Sequence, residues 1–137
     1  MNILEDLNPK QKEAVETISG PVLVIAGPGS GKTKALTHRI AYLISKGVRP
    51  QNILAVTFTN KAAEEMKMRV SKLIGDSSGS FQPLIGTFHS ICARMLRKEA
   101  HALGYTPNFT IYDEEDALKL IKSIMRDLSI DQKQFNP

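Results

Sequence analysis

Residues 22–40, VLVIAGPGSGKTKALTHRI, pass from apolar to glycine-rich to amphipathic within one short stretch. The β-branched and leucine run at 22–25, behind Pro21, predicts a strand buried on both faces. Gly27, Gly29 and Gly31 follow, and glycine takes positive φ without penalty and lets a ligand approach the backbone. Beyond Lys32, the residues Leu36, Ile40, Leu43 and Ile44 recur at helical spacing, with Gly47 placed to stop the helix. A strand, a glycine turn and a helix N-terminus together make an anion site. Backbone N–H groups converge there and the helix dipole adds partial positive charge.

Residues 26–33, AGPGSGKT, therefore read as a phosphate-binding P-loop. Ala26, Gly27, Pro28, Gly29, Ser30 and Gly31 form the cradle, Lys32 places a full charge at the β- and γ-phosphates, and the Thr33 hydroxyl can hold Mg²⁺. Ala26 stands where the common pattern has its first glycine, a minor departure because the tight turn lies at the later ones. Pro28 has no N–H, so that position donates nothing to a phosphate. The competing reading, a glycine-rich turn that merely precedes a Lys-Thr pair, explains neither the strand before it nor the helix after it.

The rest of the chain repeats the alternation. Asn8 with Pro9 predicts a capped helix running to about residue 19. Residues 53–58 (ILAVTF) form a second expected strand, and Asn60 is expected to cap a helix with Ala63, Met66, Val70, Leu73 and Ile74 along its apolar stripe. A polar loop spans 75–83, a third short strand 84–86, and a third long helix 88–103, ended by Gly104. Residues 109–112 suggest a brief extended piece. Asp113 then opens a helix to about 128, with Leu118, Ile121, Ile124, Met125 and Leu128 inward. Alternating strands and helices imply an α/β fold around a parallel sheet.

The 137 residues suffice for one domain with a core, or for a piece of a larger one. A hydrophobic content of 42% with 23% charged residues is ordinary for a soluble protein. No apolar run approaches the roughly 20 residues of a membrane span, and MNILEDLNPKQ has acids where a signal peptide would have an apolar core. The expected compartment is the cytoplasm, with no membrane partner. Cys92 is the single cysteine, which excludes an internal disulfide and a multi-cysteine metal site and suggests a small buried side chain. Basic residues cluster at Lys61, Lys67, Arg69, Lys72, Arg94, Arg97 and Lys98, within a net charge of +4. That distribution fits a polyanion surface and solvated helix faces equally, so charge does not decide between them.

In parallel sheets ligands bind at the carboxyl ends of the strands. TFTNKAAEEM follows the second strand and GTFHSICARM the third, each with Thr and Phe at the strand end and a polar residue (Asn60, or His89 and Ser90) entering a helix. Phe58 and Phe88 either pack under their own helices or stack on bases of single-stranded nucleic acid. As a matched pair beside helix N-termini they suit the second reading better. Asp113, Glu114, Glu115 and Asp116 superficially resemble an acidic magnesium motif. Their spacing from N-cap to N3 reads better as a solvated helix start.

With these residues in hand, the chain resembles the UvrD/Rep family of superfamily 1 DNA helicases along its whole length. LNPKQKEAV looks like the family's Q motif, AGPGSGKT its P-loop, and LAVTFTNKAAEEM and GTFHS two of its DNA-contacting motifs. The resemblance implies a RecA-like three-layer α/β/α domain, incomplete here: residues 1–112 its first part and 113–137 the start of a helical insertion. It implies ATP and Mg²⁺ as cofactors, with Gln11 on the adenine edge, an amide being able to pair it bidentately. Arg39 would lie on the adenine plane. Phe58, Thr59, Asn60, Thr87, Phe88 and His89 would line the path of single-stranded DNA at duplex junctions, in an ATP-dependent 3′–5′ helicase of DNA repair or replication. The family's Asp-Glu motif and second RecA-like domain do not occur in these residues, so this piece alone is expected to be catalytically inert. An inactive nucleotide- and DNA-binding module is thus one alternative. An unrelated P-loop NTPase is the other, and it leaves Gln11 and both strand-exit motifs unexplained.

Overall fold

A computed structural model describes residues 2–76, 83–131 and 135, and most of the loop expected at 75–83 falls outside them. The chain divides into two compact units, Met1–Met95 and Leu96–Pro137. In chain order it forms α1 (Pro9–Glu16), α2 (Lys32–Ser45), β1 (Leu54–Thr57), α3 (Asn60–Ile74), β2 (Leu84–Thr87), α4 (Phe88–Glu99) and α5 (Glu114–Asp127). Single 3₁₀ turns lie at Pro50–Asn52 and Ala100–Leu103.

The helix ends follow local chemistry. Asn8 caps α1 in a full capping box: its side chain accepts from Gln11 N, and the Gln11 side chain accepts from Asn8 N. α1 stops at Glu16, short of the expected residue 19. There the Thr17 N–H and hydroxyl both turn back to the Glu13 carbonyl, at 3.1 and 2.7 Å. α3 is capped by Thr59, whose Oγ1 accepts from Ala62 N at 3.1 Å, and not by Asn60 as expected. Asn60 is the first residue of the helix proper. α5 opens as expected, with Asp113 accepting from Asp116 N at 2.8 Å.

β1 and β2 pair in parallel, with Leu54 opposite Leu84 and Thr57 opposite Thr87, and α3 is the crossover between them. The core of the first unit is Ile40 of α2, Ile53, Ala55 and Ile85 from the strands, and Ala63, Met66 and Val70 of α3. Leu43, Ile44, Val48 and Ile74 pack against it. Residues 22–25 are the main departure from the expected fold, because they are not a strand. Their exposure still alternates with a period of two: Leu23 and Ile25 are 85% and 90% exposed, while Val22 and Val24 are more covered. A strand exists only through its hydrogen-bonded ladder, and among the described residues the one sheet has two strands, β1 and β2. The apolar run signals the wish for neighbours, not their presence.

Three smaller expectations change for the same reason. Leu36 on α2 is exposed, and so are Ile121, Ile124 and Leu128 on α5, where Met125 alone of the expected stripe is buried. Cys92 is exposed as well. Amphipathic spacing identifies the face that needs a partner and says nothing about whether one has been met.

Candidate nucleotide and nucleic-acid site

The loop at 26–31 is built by two left-handed glycines, Gly29 at φ 75° and Gly31 at φ 83°. Gly31 is the N-cap of α2, so Lys32 and Thr33 occupy its first two helical positions. Ser30 closes the turn, with its N–H and its hydroxyl both donating to Gly27 O, at 3.3 and 2.7 Å. Lys32 Nζ folds along the loop and donates to the carbonyls of Ala26 and Gly27 at 2.7 and 2.8 Å. Its charge is thereby held over the glycine turn at the positive end of α2. Thr33 is exposed beside it. A hydroxyl oxygen suits Mg²⁺, which keeps most of its waters and takes its other ligands from phosphate, so the residue fits that ion without a protein cage. Among the described residues no group of three His, Cys, Asp or Glu could form such a cage.

Gln11 reaches this loop from α1. Its Nε2 donates to Ser30 O at 3.0 Å while its Oε1 serves the capping box at 3.1 Å. A Cβ on Gly31 would come within 2.6 Å of Gln11 Nε2, so the glycine gives both the φ and the room. A cleft of about 200 Å³ opens here, lined by Gln11, Val24, Ser30, Gly31 and Lys32 among others. A second, of about 320 Å³, is lined by Val22, Val24, Lys32, Leu36 and Arg39. The two share Ala14, Val24, Lys32 and Ala35. Gln11, Ala26, Ser30, Gly31 and Lys32 thus line the first cleft and Arg39 the second, with Lys32 common to both. Arg39 donates through Nη1 to the Ala14 carbonyl of α1, a bond that no residue pattern announces.

The other expected group lies past the carboxyl ends of β1 and β2. Because Thr57 stands opposite Thr87, the next residues, Phe58 and Phe88, are matched across the sheet. Their ring centroids are 5.8 Å apart at an interplanar angle of 49°. Phe58 is 91% exposed and Phe88 49% exposed, so neither ring is a core residue. Thr59, Asn60 and His89 are exposed around them, whereas Thr57 and Thr87 are buried. Thr87 Oγ1 accepts from Ser90 N at 3.2 Å, and Ser90 Oγ donates to Thr87 O at 3.0 Å. The hydroxyls of Thr59 and Thr87 are therefore committed to the starts of α3 and α4, which leaves ring faces, the Asn60 amide and the His89 imidazole toward solvent.

One further residue shapes this edge. Gly86 sits where a Cβ would meet Ser90 Oγ at 2.8 Å and Ile91 Cγ1 at 3.1 Å. Only glycine lets α4 start this close to β2, and a glycine inside a strand is the signal that could have shown it.

Residues 7–137 match the family model described as the UvrD/REP helicase N-terminal domain. The chain is 52% identical over 136 residues to the ATP-dependent DNA helicases PcrA of Staphylococcus aureus and Bacillus subtilis, and 50% identical to that of Staphylococcus epidermidis. Each alignment covers 98% of this chain and 18% of the relative. With a family model matching nearly all of its length, this chain belongs to the UvrD/REP helicase family.

Proposed function

We propose that these residues are the ATP- and single-stranded-DNA-binding front of an ATP-dependent DNA helicase that moves 3′ to 5′. The observation that carries the reading is the solvent-facing Phe58–Phe88 pair set by the β1–β2 register. An unrelated P-loop NTPase has no use for two bare rings at strand exits, whereas bases stack on them regardless of sequence. In this reading residues 1–112 open a RecA-like three-layer domain. Residues 113–137 begin a helical insertion. The cellular setting is cytoplasmic, and single-stranded DNA at duplex junctions is the partner.

The division of labour follows from the geometry. The backbone N–H groups of the glycine turn and Lys32 hold the phosphates of ATP, Thr33 takes the Mg²⁺ that travels with them, and Gln11 and Arg39 address the base. Mg²⁺ neutralises charge on the phosphates and orients them. Phe58 and Phe88 carry the bases, with Asn60 and His89 at the DNA backbone. Nucleotide and single-strand binding is the property this reading assigns to the 137-residue chain, and hydrolysis coupled to DNA movement belongs to the whole protein.

The test is a titration of a fluorescent single-stranded oligonucleotide with the chain, competed by blunt duplex and by heparin. The single strand is expected to bind more tightly than the duplex, and Phe58→Ala to weaken it. Equal binding of all three polyanions, unchanged by Phe58→Ala, would show a merely basic surface.

A further inference from the structure

We infer that Arg39 is a positioning residue for base selection, holding α1 so that Gln11 stays against the P-loop; this deepens the nucleotide-site reading and rests on it. α1 has eight residues, too few to persist on its own propensity. Its packing anchor is Val15, fully buried. Arg39 Nη1 donates to Ala14 O, one of the last four carbonyls of α1, which have no partner within the helix. A cation is favoured at that negative end of the helix dipole.

α2 also holds the segment before α1. Lys34 Nζ donates to Asp6 O at 2.5 Å, and His38 Nδ1 donates to Ile3 O at 2.5 Å, one helical turn further on. Three basic side chains of α2 thus each take a backbone carbonyl from residues 3–14. At the other end of α1, Gln11 spans from Asn8 N to Ser30 O. The helix is tied through Arg39 at its end and through Gln11 at its start, and the second tie is to the P-loop itself.

A guanidinium donates in its own plane, which leaves its face open. The edge of Arg39 can therefore hold Ala14 while its face meets a base. Removing the side chain takes no donor or acceptor from the base edge. It takes away the constraint that keeps Gln11 in register with that edge.

The test uses the 137-residue chain as wild type, Arg39→Lys, Arg39→Ala, Gln11→Ala and the double variant. Hydrogen exchange of residues 9–16 is read without nucleotide, and the ATP-to-GTP affinity ratio is read separately. Arg39→Ala should speed exchange of the α1 amides by about tenfold or more, the equivalent of one hydrogen bond to a charged group. Arg39→Lys, able to donate to the same carbonyl, should restore most of the protection and of the ratio. Arg39→Ala should lower the ratio to that of Gln11→Ala, and the double variant should go no lower. Unchanged α1 exchange in Arg39→Ala overturns the inference whatever the nucleotides do, as does a loosened α1 with the ratio intact. Failure of the wild type to bind either nucleotide overturns instead the site reading on which the selection role depends.

Discussion

Phe58 and Phe88 touch across the carboxyl edge of the sheet, 5.8 Å between centroids, because the residues before them, Thr57 and Thr87, are a register pair. A one-residue slip between β1 and β2 would separate the rings and send the slipped strand's side chains to the opposite face. The aromatic pair is thus a consequence of strand register. It adds a contact of about 0.5–1.5 kcal/mol at a place where burial offers little.

Removing either ring should separate binding from folding. Phe58→Ala and Phe88→Ala are expected to cost about 1–3 kcal/mol of single-strand affinity. No charge is lost, so the slope of log K against log salt should hold. Neutralising a phosphate-contacting Lys or Arg should flatten it by about 0.7 per contact. Because Phe58 is almost wholly exposed, Phe58→Ala should lose no more stability than that ring contact, about 0.5–1.5 kcal/mol. An early melt with normal binding per folded molecule would make the ring structural.

The start of α3 distinguishes two adjacent polar residues. Thr59→Ala removes the cap from Ala62 N and should cost about 0.5–2 kcal/mol of stability. Asn60→Ala, one position along and exposed, should leave the melt nearly unchanged while weakening single-strand binding. Denaturant titration of both variants checks the first part, and the reverse order of stabilities would contradict it.

Gly86→Ala places a methyl 2.8 Å from Ser90 Oγ and 3.1 Å from Ile91 Cγ1. Overpacking of this kind should cost about 1–3 kcal/mol, and it should also shift the first turn of α4, which carries Phe88 and His89. The expected outcome is a lowered melting temperature together with weaker single-strand binding per folded molecule. A variant as stable as wild type would show that β2 and α4 have more room than the structure gives them.

The helices and the glycine turn before α2 were legible because their signals are local. Asn8 with Pro9 and Gln11, Asp113 with Asp116, and the Gly29–Gly31 turn each depend on residues a few positions apart. What the sequence did not disclose depends on distance or on neighbours. Residues 22–25 carry the composition of a buried strand yet have no ladder, and of the α5 stripe Met125 alone is buried and Leu118 half-buried. Thr59 displaced Asn60 as cap because Thr59 keeps extended dihedrals, φ −121° and ψ 148°, while Asn60 already lies within the helix. Arg39, Lys34 and His38 read as an ordinary polar helix face, since the carbonyls they hold lie 25 to 35 positions earlier. Backbone acceptors leave no mark in a sequence.

Lys32→Ala gives the most direct test of the central claim, that the 26–33 turn is a nucleotide site served by this lysine. Equilibrium binding of a fluorescent ATP analogue with Mg²⁺ is to be measured on wild type and variant, with melting on the same samples. Lys32 is exposed and the carbonyls it holds can turn to water, so the melt should barely move. Affinity should fall by about ten- to a hundredfold, the loss of a charged hydrogen-bond donor worth about 1.5–3 kcal/mol. Equal affinity in both proteins, with both folded, would contradict the account.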